Sequence, residues 1–177
     1  VGVQPETGLG LARAIAMITY RSFDSYESKF GRERTNGEVT SLAASAVAGL
    51  NGANGSRGDA LAQSFQITSY LDYQGVKLVK RFDANTYIHL TWAMDDFDIA
   101  EGRGRVEDVL GRIKHPALVM GISSDVLYPE AEQRQLLEAL PNARYARINS
   151  PHGHDAFLIE FPQVAAQLRR FLAEITA

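Results

Sequence analysis

The chain has 177 residues, 45% of them hydrophobic and 22% charged, the balance of a soluble globular protein with one good core or two small ones. Its formal charge of −3 leaves no electrostatic footprint for nucleic acid, since Lys77, Lys80 and Arg81 are too few to form a stripe and read as the solvated face of a helix. The absence of cysteine excludes a disulfide framework and thiolate metal sites, and no apolar run approaches the roughly 20 residues that span a bilayer. With no signal-peptide pattern at the start, the expected location is cytoplasmic, and a first residue of Val1 rather than Met points to a processed or truncated product.

In chain order, residues 8–22 carry Leu9, Ala12, Ile15, Ala16 and then Thr19 and Tyr20 as a helix-period stripe. Residues 33–63 hold Asn51-Gly52-Ala53-Asn54-Gly55-Ser56-Arg57-Gly58, a composition that cannot build a core, and predict a mobile surface insertion with room for a short helix over 40–50. A further helix is predicted over 65–82, with Tyr70, Leu71, Gln74, Leu78 and Val79 at three-to-four spacing. Asp83 then suits the N-cap of a helix carrying Tyr87, Ile88, Thr91, Met94 and Phe97. These apolar stripes are wide, so the helices are expected to pack on each other and on something outside the chain.

After Gly102-Arg103-Gly104 the pattern changes to alternating strands and helices. A helical turn over 106–112 leads through Pro116 to a strand over 117–122; a helix starts beside Pro129 and stops at Pro141-Asn142. A second strand covers 144–149 and a terminal helix 161–175, beside Pro162. Strand, helix, strand, helix predicts a parallel pair joined by a crossover. Two strands make no stable sheet alone, so more strands are expected from elsewhere. The fold class is α/β, with residues 1–105 as a helical part and 106–177 as the strand-and-helix part.

Two residues carry the chemistry. Asp125 closes the stretch that follows the first strand; alone it reads as a turn aspartate bonded to its own backbone. His154 follows the second strand in Gly153-His154-Asp155. One helix and one strand separate the two, the spacing at which an acid and a base follow a serine in the order Ser…Asp…His. Paired at that spacing, Asp125 reads as the acid that accepts a hydrogen bond from His154, and His154 as the general base. His152 opens a His-x-His metal reading, but no third ligand stands near in sequence, and no metal is expected. His89 and His115 stand alone and read as structural. No Gly-x-Ser-x-Gly elbow occurs in the 177 residues.

The stretches Ala12-Arg13-Ala14-Ile15-Ala16-Met17-Ile18-Thr19-Tyr20-Arg21-Ser22, Ser69-Tyr70-Leu71-Asp72-Tyr73-Gln74-Gly75, Arg81-Phe82-Asp83-Ala84-Asn85-Thr86-Tyr87, Ser124-Asp125-Val126-Leu127-Tyr128-Pro129 and Gly153-His154-Asp155-Ala156-Phe157-Leu158 resemble, in order, the homoserine O-acetyltransferase family. The resemblance covers most of the chain outside 33–63 and implies the C-terminal part of an α/β-hydrolase fold with a helical lid. It implies acyl transfer by a ping-pong route from acyl-CoA to a serine and then to the hydroxyl of homoserine, with acetyl-CoA as co-substrate and no tightly bound cofactor. It assigns Asp125 and His154 as acid and base, Arg13 and Tyr20 to the acceptor's carboxylate, and Asp155 to its ammonium.

Arg13 and Tyr20 lie seven residues apart, two helical turns, so they share a face; the same spacing also fits an amphipathic helix with a snorkelling arginine and a packed tyrosine. Asp155 suits an N-cap equally well. Arg21, Tyr70, Tyr73 and Asn85 read as packing or lid architecture. The nucleophile, the oxyanion donors and most of the sheet are expected on an N-terminal portion of the same enzyme, with dimer formation through the lid. Relatives that use succinyl-CoA, serine or deacetylcephalosporin C remain open. So does an ester hydrolase, although the clamp of Arg13, Tyr20 and Asp155 has no use for water as acceptor. The non-enzyme alternative is an interaction module, a lid with a remnant sheet.

Overall fold

A computed structural model describes residues 2–35 and 65–176. The predicted helix over 40–50 and nearly all of the predicted insertion at 33–63 lie outside the described residues. The chain separates into two compact units, Val1–Ile18 with Tyr26–Asp96, and Thr19–Ser25 with Phe97–Ala177.

Helix α1 spans Glu6–Tyr20 and buries Leu9, Gly10, Ala14 and Met17, a stripe at helical spacing. It stops two residues before its predicted end because Ser22 starts a new helix: the Ser25 amide donates to the Ser22 hydroxyl at 3.1 Å. That helix, α2 (Phe23–Phe30), was not predicted; at eight residues it is too short for a clear period. Its legible signals were the Ser22 cap, Asp24 in the first turn and Lys29 in the last.

In the first unit, α3 (Gln66–Val79) and α4 (Ala84–Asp95) lie within or close to their predicted spans. Tyr26, Phe30 and Tyr70 form an aromatic cluster with centroids 5.2 to 6.5 Å apart, and the Tyr26 hydroxyl donates to the Met17 carbonyl at 2.6 Å. Gln4 clamps the α3–α4 connection: its amide nitrogen donates to the Val79 and Phe82 carbonyls, and its oxygen accepts from the Ala84 amide, each at 3.3 Å. Asp83 caps α4 as its sequence suggests, accepting from the Thr86 amide at 2.8 Å. Phe97 falls beyond the helix end, and α4 contains no buried residue.

The second unit holds α5 (Val106–Leu110), β1 (Ala117–Ile122), α6 (Glu130–Ala139), β2 (Ala143–Ile148), α7 (Ala156–Ile159) and α8 (Phe161–Ile175). The strands pair in parallel, Ala117 opposite Ala143 through Ile122 opposite Ile148, with α6 as the crossover, as the alternation of strand and helix predicts. One sheet face carries Met120, Ile122 and Ile148, which pack with Ala156 and Val164. A side chain buried as fully as Ile148 contributes about 1.5–3 kcal/mol. The other face meets α6: Tyr145 and Arg147 both donate to Glu130 Oε1, at 2.6 and 2.9 Å. A Cβ on Gly121 would collide with the Tyr145 hydroxyl, so any larger residue there must displace that ring. These contacts hold the carboxyl of Glu130 below its usual range, Tyr145 first and Arg147 next. Burial, with Glu130 next, raises the Tyr145 hydroxyl above its usual value.

Candidate active site

Parallel strands carry functional groups beyond their carboxyl ends, where the chain leaves the sheet and backbone groups open outward. Asp125 lies three residues past β1, and His154 lies six residues past β2, in a 3₁₀ turn over Gly153–Asp155. Their side chains meet: His154 Nδ1 is 2.8 Å from Asp125 Oδ2. A carboxylate only accepts, so this contact places the proton on Nδ1 and makes Nε2 the nitrogen that can take a proton from a substrate.

The Asp125 side chain is only 4% exposed, and a buried carboxylate needs partners. Its Oδ1 accepts from the Leu127 and Tyr128 amides, both at 2.9 Å. Asp125 therefore makes both contacts weighed from the sequence, the turn bonds through Oδ1 and the histidine contact through Oδ2. The turn bonds lock the carboxylate, so Oδ2 presents a fixed acceptor to the imidazole. His154 is 27% exposed and walled by aromatic rings: Tyr128 at 5.1 Å, Phe157 at 5.5 Å and Tyr20 at 6.0 Å between centroids. Tyr128 also lines an open cavity of about 700 Å³ with Val106, Leu110 and Leu136.

Serines tie the two loops together. The Ser124 hydroxyl donates to the Ser150 carbonyl at 2.6 Å and accepts from the Gly153 amide at 2.9 Å. Ser123 accepts from the Ser150 amide at 3.1 Å. Ala156, fully buried, anchors the start of α7 just after the histidine. Residues 19–25 join the same unit. Gly153 has φ +67°, and a Cβ on it would sit 2.7 Å from the Ser22 nitrogen and 2.8 Å from Arg21 backbone carbons. The Ser22 hydroxyl donates to the Pro151 carbonyl. This seating brings Tyr20 beside His154 and sets Arg21 Nε 3.3 Å from Asp155 Oδ2.

Of the five residues singled out from sequence, Asp125, His154, Tyr20 and Asp155 fall in one unit. Arg13, half-buried on α1, falls in the other unit. Asp155 occupies the N-cap position of α7, but its side chain makes no capping bond. The rings of the two neighbouring histidines have different partners, since His152 Nδ1 is 3.4 Å from Ser25 Oγ. Among the described residues, no group of three or more His, Cys, Asp or Glu is gathered in a way that could hold a metal. Sequence reasoning missed Tyr128 and Phe157 as ring walls and Arg21 as the partner of Asp155. Tyr128 and Phe157 stand in the same motifs three residues beyond Asp125 and His154, the only signal they gave.

No family model matches the chain. Among curated proteins it is 45% identical over 172 residues to the homoserine O-acetyltransferase of Carboxydothermus hydrogenoformans, covering 95% of the chain and 41% of that protein. It is 43% identical over 171 residues to that of Chlorobium chlorochromatii, covering 97% and 42%. The chain thus spans about two fifths of the length of the relatives it matches. In solved structures it resembles homoserine O-acetyltransferase from Bacillus anthracis, with TM-score 0.72, 20% identity and 96% and 42% of the two chains covered. For the Staphylococcus aureus enzyme the values are 0.65, 28%, 95% and 42%. Esterase E22 shares the fold, with TM-score 0.69, 22% identity and 96% and 43% covered. No helix among the described residues is long and apolar enough to cross a membrane. The chain belongs to the homoserine O-acetyltransferase family and carries part of its α/β-hydrolase fold.

Proposed function

We propose that this chain supplies the acid, the base and the acceptor clamp of an acyl-CoA-dependent O-acyltransferase, with acetyl-CoA as donor and L-homoserine as acceptor. The nucleophilic serine is assigned to the N-terminal portion of the same enzyme, because the 177 residues hold no elbow motif. The observation that carries the reading is the 2.8 Å contact of Asp125 with His154 beyond the ends of adjacent parallel strands, in a chain more than 40% identical to homoserine O-acetyltransferases.

In the first half-reaction His154 Nε2 takes the serine proton as the serine oxygen attacks the thioester carbonyl. The C–S bond breaks, and the proton goes to the departing thiolate of coenzyme A. In the second, Nε2 takes the proton of the acceptor hydroxyl as that oxygen attacks the acyl-serine, and returns it to the serine. Asp125 does not take the proton; it holds the imidazole in place and stabilises the imidazolium formed in each half. Arg13 and Tyr20 suit the acceptor's carboxylate, since a guanidinium fork and a phenol both donate hydrogen bonds to it. Asp155 suits the ammonium. A hydrolase fits this set less well, because water has neither group to clamp.

The test is acetyl transfer by the enzyme with its serine-bearing portion present, followed by mass spectrometry after brief exposure to acetyl-CoA. An acetyl adduct on the serine-bearing portion, discharged by L-homoserine faster than by water, supports the reading. Discharge by water alone would turn it into a hydrolase. His154→Ala should abolish turnover, by roughly 10⁴-fold or more, while leaving assembly intact; unchanged turnover would sink the catalytic assignment.

A further inference from the structure

Asp155 is a carboxylate next in sequence to the base, and its surroundings leave one of its oxygens with no hydrogen bond among the described residues. Its side chain is 23% exposed and does not cap α7, although it stands at the cap position. Oδ2 faces Arg21 Nε at 3.3 Å. The guanidinium does not close a two-pronged fork on the carboxylate; its Nη1 turns to Ser25 Oγ at 3.4 Å. Arg21 is itself held, because its backbone sits against Gly153 at a separation no Cβ would allow, and its neighbour Ser22 donates to the Pro151 carbonyl. The guanidinium therefore projects from a seat fixed relative to the histidine loop.

We propose that Arg21 is a positioning residue: by holding Oδ2 it fixes the Asp155 rotor beside His154 and leaves Oδ1 for the ammonium of an amino-acid acceptor. This rests on the acceptor reading above. Arg21 touches neither the reacting hydroxyl nor the acyl group. Its charge opposes the binding of a second cation, so a purely electrostatic effect and a positioning effect have opposite signs. Removing the guanidinium frees the carboxylate, which must then be ordered when the acceptor binds. Ordering one side chain corresponds to a roughly three- to tenfold loss of affinity.

The experiment measures both half-reactions in the catalytically complete enzyme for wild type, Arg21→Gln, Arg21→Lys, Asp155→Asn and the Arg21→Gln/Asp155→Asn double variant. Thermal unfolding of each is recorded alongside. Arg21→Gln is expected to raise KM for the amino-acid acceptor three- to tenfold and to spare kcat and acylation by acetyl-CoA. Arg21→Lys, which keeps a cation on the same stem, is expected to recover part of that loss. In the Asp155→Asn background Arg21→Gln should add nothing, because its effect passes through that carboxylate.

An unchanged KM overturns the proposal. So does a KM that falls, which would show the guanidinium competing with the ammonium. Equal loss in both half-reactions, or full additivity with Asp155→Asn, would make Arg21 a structural brace only. If Arg21→Gln fails to fold, the Arg21→Lys and Asp155→Asn/Arg21→Lys pair gives the same comparison. Failure of the acceptor reading looks different: wild type itself would then transfer no acetyl group to any hydroxy amino acid.

Discussion

Gly153→Ala probes the junction that brings residues 19–25 to the loop of His154. Two penalties can be worked from the geometry. A side chain at φ +67° costs about 1–2 kcal/mol, because its Cβ crowds the carbonyl. The new methyl would also stand 2.7 Å from the Ser22 nitrogen and 2.8 Å from Arg21 Cα, well inside the roughly 3.5–4.0 Å of an unstrained contact. Those are backbone atoms and cannot rotate away, so the segment must move and lose the Ser22–Pro151 hydrogen bond, worth about 0.5–1.5 kcal/mol. The expected destabilisation is about 1.5–3.5 kcal/mol, a fall in Tm of roughly 3–14 °C for a chain of this size.

Circular-dichroism melts of the enzyme, with acetyl transfer measured in parallel, provide the assay. Gly8→Ala is the matched control: Gly8 lies exposed in α1 with nothing within 4 Å of a new Cβ, so the same chemical change should stabilise by about 0.5–1 kcal/mol. A Gly153→Ala variant that melts within a degree of wild type, or the reverse ordering of the two variants, would refute the seating of Arg21 and Ser22 on the histidine turn.

Three further outcomes are expected. Asp125→Asn should keep the fold yet lower kcat by about 10³- to 10⁴-fold, because an amide can donate to Nδ1 and hold the ring in the wrong tautomer; kinetics beside an unchanged melt would check it. Arg13→Ala should raise KM for the amino-acid acceptor while sparing acylation by acetyl-CoA, and equal loss in both half-reactions would count against the carboxylate role. Glu130→Gln should flatten the acid limb of stability. The folded-state value of Glu130 lies below its ordinary 4.5, so its contribution is present above 4.5 and is lost as pH falls through the folded value. Urea midpoints between about pH 3 and pH 6 should therefore fall less for the variant than for wild type, and parallel curves would contradict the assignment.

How much of this was legible depended on whether the governing interaction is local. The helix α4 could be placed from its cap, because Asp83 and Thr86 are three residues apart and the bond between them forms within one turn. The two parallel strands and their crossover followed from apolar runs bounded by Pro116, Pro129 and Pro141, since short apolar segments alternating with a helical period have few other arrangements. By contrast α2 went unseen, because eight residues give too few turns for a period to stand out beside the longer helix before it.

The sequence by itself determined that Asp125 and His154 would meet. Asp125 and His154 each stand just beyond a strand, and a parallel crossover has little choice but to deliver both ends to the same edge of the sheet. Only the tertiary structure decided what surrounds them. The Arg21–Asp155 pair spans 134 positions, and the close approach of Ser22 to Gly153 rests on a missing Cβ that carries no periodic signature. Contacts of that kind come from packing between distant segments, where distance in the chain says nothing about distance in space.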